Sequence, residues 1–329
     1  MQVIKRSKTL DMLKAVSTVF VVFVHAANIF DYANVLPNYW WLTVCKLFAN
    51  CGVPIFFMVS GYLFAIKSTG YKIDIQKKIK TLCIPYFSWI FMYIFFETVG
   101  HTVFHDNFAN VKNWSASEWI FNIFGVPFMS PPIYAPLWFV RDLFILNIVA
   151  LWPRKIIERI PVSISVCVIL LIWYLPLNGY LRQSVCFFLF GILIAVKFPT
   201  IVNTFTVTQK GIVLGGGGTA LISLFLPEGH FYNPTKILLA VSMIFIVCQK
   251  WHSNKILQFG TYGFWIFATH GKLLSIFQIL YTRVLPKTDL NTVIGYFILP
   301  ILTICICVII GDMLKKKLPQ IYFYLTGGR

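Results

Sequence analysis

The chain has 329 residues, of which 58% are hydrophobic and 12% are charged, and its mean hydropathy is +0.76. So few charges argue against a soluble domain, and apolar runs of about 20 residues, long enough to cross a hydrocarbon core about 30 Å thick, recur along the sequence. The net charge of +17 would suit nucleic-acid binding, but the basic residues alternate between successive loops, which favours membrane topology and contact with anionic lipids.

Ten apolar segments predict an all-α, polytopic integral membrane helical bundle with about ten transmembrane helices. They cover residues 10–30, 42–66, 80–100, 135–152, 162–177, 181–196, 211–227, 236–250, 260–281 and 292–314. Basic residues gather in every second loop, so the positive-inside rule places both termini in the cytoplasm. We expect residues 1–329 to form one domain, without a soluble domain, in the cytoplasmic (inner) cell membrane.

The first apolar segment carries three titratable side chains, Asp11, Lys14 and His25. Lys14 and His25 fall within about 20° of each other on a helix and roughly 16 Å apart along its axis. Asp11 and Lys14 can pair with each other at the membrane boundary. A titratable side chain inside hydrocarbon costs a few kcal/mol on insertion scales. His25 is therefore a candidate functional residue, against the alternative of a neutral packing histidine.

The second segment combines Pro54 with the adjacent residues Ser60 and Gly61. A proline in a membrane span frees a backbone carbonyl, which water or a ligand in a cavity often satisfies. On its own, this segment would be interpreted as helix packing.

A basic cluster of Lys77, Lys78 and Lys80 precedes the third segment. On the predicted topology these lysines lie at its cytoplasmic mouth. Lipid headgroups are the simpler partner for any single lysine. The cluster as a whole also suits the phosphates of a cytosolic ligand.

Residues 101–134 form the longest predicted outer loop, and its aromatic content argues for order. Long loops inside compact proteins are usually functional or disordered, and we expect the apolar stretch 119–128 at the membrane interface. Arg141 and Asp142 follow near the predicted outer end of the fourth segment. They can form a structural ion pair, or Arg141 and Arg182 can bind a polar or anionic acceptor there.

The ninth segment places His270 and Lys272 near its middle. A buried lysine needs a partner, a cavity or loss of its charge, and we expect one of these at Lys272. Two histidines at membrane depth on different helices, His25 and His270, are less easily explained by packing than either alone. The cysteines show no metal-ligand spacing, so we expect no metal site.

Taken in order, these motifs resemble the acyltransferase 3 family of polytopic membrane acyltransferases. The family's first-helix, Gly-Val-Pro-Phe-Phe-Ser-Gly, basic Pro-Tyr, Leu-Trp-Phe and Tyr-Ala-Thr-His motifs are similar to residues 10–25, 52–62, 77–86, 137–139 and 267–270. Lys14, Lys77 and Lys80 stand where arginines are common, and a lysine binds phosphate as a point charge rather than as a bidentate fork. Phe267 replaces the family tyrosine, so no hydroxyl acts there.

The resemblance implies transfer of an acyl group, most often acetyl, from cytosolic acyl-CoA to a hydroxyl of an extracytoplasmic or lipid-linked saccharide, as in polysaccharide O-acetylation. It implies acyl-CoA as a donor substrate and no tightly bound cofactor. His25 is then the general base. The resemblance assigns catalysis to His25, Asp11 and Lys14, the donor to Lys77, Lys78, Lys80 and Ser60, and the acceptor to Trp138, Arg141, His270 and Lys272.

A proton-coupled transporter or flippase for a polar or glycolipid substrate is the competing class. Intramembrane His, Lys and Arg suit proton-coupled transport equally well. The second half of the chain has no counterpart of Pro54 or of the Ser60 and Gly61 pair, however, which disfavours an inverted repeat. A sensory or scaffold protein would leave His25 and Lys272 unexplained.

Overall fold

The computed structural model describes residues 8–35, 37, 39–67, 71–104, 109, 111–127, 129–175, 179–199, 241–242 and 258–328. The regular secondary structure of these residues is helical, without a strand. The predicted seventh and eighth segments, 211–227 and 236–250, lie outside the described residues except for 241–242.

Fifteen helices follow one another along the described chain: α1 Lys8–Ala26, α2 Asn28–Ala33, α3 Trp40–Ala49, α4 Gly52–Lys67, α5 Tyr71–Lys78, α6 Ile84–Phe104, α7 Ala116–Phe124, α8 Trp138–Val149, α9 Leu151–Arg159, α10 Val162–Tyr174, α11 Gly179–Leu181, α12 Phe187–Lys197, α13 Gly263–Val284, α14 Asp289–Lys317 and α15 Pro319–Thr326. Two π-helical turns, Ile79–Cys83 and Arg182–Cys186, join α5 to α6 and α11 to α12. Three 3-10 turns, Val111–Asn113, Ala135–Leu137 and Gly260–Tyr262, precede α7, α8 and α13.

Five helical stretches in the described part are long and apolar enough to cross a membrane: Lys8–Ala33, Trp40–Ile66, Ile75–Thr102, Gly179–Lys197 and Asp289–Lys317. A sixth crossing requires α8 and α9 to act as one span, although their axes differ by 61°. The 13 residues of α10 reach only about 20 Å, less than the hydrocarbon core. The all-helical membrane fold is thus confirmed, while the number of about ten crossings and the cytoplasmic termini stay predictions.

The central helix α1 packs against α3, α4, α13 and α14. Gly52 permits its closest contact with α4, because a Cβ there would lie 2.9 Å from the backbone nitrogen of Val21. Gly191 of α12 similarly faces the backbone carbonyl of Met58, where a Cβ would clash. Small residues of this kind let membrane helices approach closely, so α1, α4 and α12 form a tightly packed row.

The described part of the predicted outer loop turns back along α6. It starts beside Glu97, whose Oε2 accepts a hydrogen bond from the Ala109 N–H at 2.9 Å. At the end of α7, the Ile123 carbonyl accepts a hydrogen bond from Tyr86 Oη at 2.6 Å. Tyr86 lies about 16 Å before Glu97 along the helix axis. Residues 119–127 therefore descend toward the Lys80 end of α6, and their location at the membrane interface stays a prediction.

Candidate active site

His25 and His270 bring α1 and α13 together, with ring centroids 5.2 Å apart and ring planes inclined by 45°. The two helices run parallel, since Gly263 lies against Thr18 at one end and Gln278 against Ala26 at the other. The His25 side chain is exposed, whereas Ala26 beside it is fully buried. The His25 side chain thus keeps accessible surface while the backbone beside it is packed.

The buried His270 lies behind His25, with 0% of its surface exposed. Its Nδ1 lies 3.0 Å from the Ile266 carbonyl and 2.8 Å from the Phe267 carbonyl. Carbonyl oxygens only accept hydrogen bonds, so Nδ1 carries the proton and Nε2 is left as an acceptor. Among the described residues, none donates a hydrogen bond to this Nε2.

Gln278 is a third polar residue of this region, and the sequence reasoning missed it. Its Nε2 donates to the carbonyls of Ala26 at 2.9 Å and His25 at 3.2 Å. The last carbonyls of a helix lack intrahelical partners, so this amide holds the end of α1 where His25 lies. A buried glutamine in a predicted membrane helix was the signal that could have pointed to it.

Asp11 and Lys14 form the predicted ion pair in the first turns of α1, with Lys14 Nζ 3.7 Å from Asp11 Oδ1. The exposed fractions of these side chains are 38% for Lys14 and 19% for Asp11. Lys14 and His25 are separated by roughly 16 Å of helix. The pair therefore lies along the same helix but outside direct reach of the His25 ring.

The predicted donor-binding residues lie on two elements. Lys77 and Lys80 are exposed and Lys78 is half-buried, at the end of α5 and in the π-helical turn that follows. Such π-helical insertions are frequent at functional sites. Ser60 lies separately, half-buried on α4. The lysines thus form an accessible cationic group at the start of α6.

A cavity of about 240 Å³ lies beside the π-helical turn that carries Lys80. It is lined by Leu82, Cys83, Tyr86, Phe87, Phe124, Pro127, Val140, Arg141, Phe144 and Ile145. Except for Arg141 and the Tyr86 hydroxyl, these side chains are apolar or weakly polar. The cavity is therefore better matched to hydrocarbon than to phosphate or sugar.

Arg141 lines this cavity and is only 7% exposed. Its Nη1 donates to the carbonyls of Phe124 at 2.6 Å and Ser130 at 2.8 Å, and its Nε donates to Asp142 Oδ1 at 2.8 Å. The expected position at the outer level is wrong, because Arg141 lies beside Tyr86, near the Lys80 end of α6. Backbone carbonyls at membrane depth need donors, and this guanidinium supplies them to the turn after α7.

Lys272 is accessible rather than buried, with 61% of its side chain exposed, which corrects the expectation. The predicted partner is present: Nζ lies 3.9 Å from Glu97 Oε1 and 4.9 Å from the ring centroid of Tyr93. Lys272 projects from a different face of α13 than His270, since residues two positions apart on a helix are separated by about 200°. Glu97 was missed, although a single carboxylate in the third apolar segment was the available signal.

Trp138 belongs to an aromatic cluster that connects two of the sequence motifs. Its ring is half-buried, 6.0 Å from Phe57 and 4.7 Å from Tyr180 between centroids. The neighbouring Phe139 lies 5.4 Å from Phe267. Residues 137–139 therefore pack against residues 267–270, the segment that ends in His270.

The comparison with known protein families agrees with the order of motifs in the sequence. The family model described as an acyltransferase domain, Acyl_transf_3, covers residues 7–312, from the start of α1 into α14. The chain belongs to the acyltransferase 3 family. This acyltransferase 3 protein is therefore a membrane enzyme that transfers acyl groups other than aminoacyl groups.

One curated relative of this acyltransferase 3 protein matches over nearly its whole length. The succinoglycan biosynthesis protein ExoH of Rhizobium meliloti (strain 1021) is 24% identical over 353 residues, covering 98% of this chain and 92% of that protein. No solved structure matches the chain.

Proposed function

We propose that this acyltransferase moves an acyl group, with acetyl as the first candidate, from cytosolic acyl-CoA to a hydroxyl of an extracytoplasmic or lipid-linked saccharide. The observation that carries the proposal is the exposed His25 imidazole beside the buried His270 in a chain of this family. The relationship to a succinoglycan biosynthesis protein supports a polysaccharide acceptor. The corresponding location is the cytoplasmic membrane, with membrane lipids around the bundle.

His25 is the general base in the proposed reaction. One ring nitrogen takes the proton of the acceptor hydroxyl as the oxygen attacks the thioester carbonyl. The new C–O bond forms, the C–S bond breaks, and the leaving CoA thiolate receives the proton from His25. In this direct transfer, the bond that forms is matched by the bond that breaks, and the proton passes from the acceptor to the CoA thiolate. An acyl-histidine intermediate is the less favoured variant.

The accessible lysines support the donor side of the proposal. Lys77 and Lys80 are exposed and carry the point charges that a CoA phosphate requires, with Lys78 and Ser60 as further donor contacts. Asp11 and Lys14 would organise the path between this end of the bundle and His25. Trp138 and Lys272 remain candidates for the acceptor, since part of each side chain is accessible.

Sealed inside-out vesicles test the reaction and its sidedness together. The bath supplies labelled acetyl-CoA and the lumen holds the saccharide acceptor, with His25→Ala vesicles as the inactive control. The proposal predicts loss of acetyl-CoA from the bath and labelled acceptor in the lumen. Labelled product in the bath, from a membrane-impermeant acceptor supplied only there, would place the reaction on the cytoplasmic face. Movement of unmodified acceptor without acylation would indicate a transporter.

A further inference from the structure

The buried side of the histidine pair holds a hydrogen-bond acceptor, His270 Nε2, that no residue in the described part of the chain uses. His270 is fully buried, Nδ1 donates to two backbone carbonyls, and Nε2 accepts no hydrogen bond from a described residue. A buried polar atom without a hydrogen-bond partner destabilises the folded state, because it has lost its contact with water. Such atoms need a physical explanation in a native structure.

The position of His25 supplies that explanation. Its ring centroid is 5.2 Å from that of His270, a distance at which a nitrogen of each ring, turned toward the other ring, comes within about 3 Å, the length of a hydrogen bond. His25 is exposed, so its ring has room to turn. A direct saccharide contact does not explain the acceptor, because His270 has no accessible surface.

We propose that His270 is a positioning residue whose Nε2 accepts a hydrogen bond from the ring N–H of His25. The inference rests on the proposed function where it treats His25 as the base. A neutral histidine carries one N–H. When His270 accepts that N–H, the lone pair of His25 is on its other nitrogen, which faces the accessible side. The hydrogen bond thus selects both the tautomer and the orientation of the base.

Helix α13 then positions both the backbone and the ring of His25. Gln278 Nε2 donates to the backbone carbonyls of His25 and Ala26, which fixes the end of α1. His270, eight residues earlier on the same helix, fixes the ring. A catalytic group supported in this way needs little reorganisation when the acceptor arrives.

Two substitutions separate positioning from simple packing. His270→Asn retains an N–H donor near the position of Nδ1 but has no atom near Nε2, whereas His270→Gln places an amide oxygen near Nε2. We expect His270→Asn to lower kcat for acyl transfer by about 10- to 100-fold, by analogy with the loss of groups that orient a functional histidine. The KM for acyl-CoA should stay unchanged, and His270→Gln should keep kcat within a few fold of wild type. Full activity of His270→Asn, or equal kcat loss in both folded variants, would overturn the assignment.

A spectroscopic measurement covers the case in which a variant does not fold, and it is independent of activity. Wild-type protein labelled with 15N-histidine in lipid vesicles should show His270 protonated at Nδ1 and unprotonated at Nε2, with the 15N signals broadened or shifted by a His25 donor. His25→Ala should change the His270 Nε2 signal. An Nε2 signal that is identical in wild type and in folded His25→Ala would overturn the pairing. If instead His25→Ala retained transfer while this signal changed, the proposed role of His25 would fail and the pairing would stand.

Discussion

The guanidinium of Arg141 holds the carboxylate of Asp142, with Nε and Nη2 at 2.8 and 2.7 Å from Oδ1. Asp142 is fully buried, and the same guanidinium donates to the carbonyls of Phe124 and Ser130. One side chain therefore neutralises a buried charge and closes the turn after α7. These contacts indicate that Arg141 stabilises the fold of the descending segment rather than binding an acceptor.

Replacing Arg141 with methionine is expected to destabilise the protein. Removal of one partner from a buried ion pair costs about 3–5 kcal/mol, because the remaining charge is left uncompensated. The free energy of unfolding in detergent micelles measures this effect. Arg154→Met is the control, since its pair with Glu158 is partly exposed and should contribute about 1 kcal/mol or less. An Arg141→Met protein of normal stability with a selectively raised acceptor KM would contradict the structural role.

His25→Ala is expected to abolish acyl transfer while leaving expression and acyl-CoA binding close to wild type. The substitution removes the proposed base but leaves the cationic group on α5 and the following π-helical turn intact. Transfer rates in proteoliposomes and equilibrium binding of acyl-CoA measure the two effects separately. The proposed mechanism is wrong if the alanine variant retains near-wild-type transfer.

The double substitution of Lys77 and Lys80 by glutamine is expected to raise the KM for acyl-CoA, with a smaller effect on kcat at saturating donor. This result follows if the lysines bind the donor equally in the ground and transition states. Lys155→Gln, which removes an exposed lysine from α9, is the control for net charge. An unchanged KM in the double variant would assign Lys77 and Lys80 to lipid headgroups.

Lys272→Met is expected to raise the KM for the saccharide acceptor without a large loss of stability. Its ion pair with Glu97 is long, 3.9 Å, and 61% of the lysine side chain is exposed, so the pair should contribute about 1 kcal/mol or less. Acceptor and donor KM values, measured with the free energy of unfolding, separate the two effects. Lys287→Met, in the exposed connection before α14, is the matched control. Equal acceptor KM values for both variants would remove Lys272 from the acceptor site.

The amino-acid sequence by itself determined the helical membrane class and singled out His25. Hydropathy is a local property, because a run of apolar side chains has the same preference for hydrocarbon in any tertiary arrangement. The Asp11 and Lys14 pair is equally local, since residues three positions apart share a helix face. The ordered motifs further indicated the family that the match over residues 7–312 shows.

Only the tertiary structure decided the level at which each polar residue lies and the residue that it contacts. The level of Arg141 could not be read from its distance to the end of a segment, because the preceding chain descends along α6 and is held there by Tyr86 and Arg141 itself. The exposure of Lys272 and its pairing with Glu97 likewise depend on which face of α13 meets α6. His25 and His270 meet because α1 and α13 run parallel in close contact. Contacts between helices far apart in the chain arise from packing and from the need to satisfy buried polar groups, which no local sequence pattern encodes.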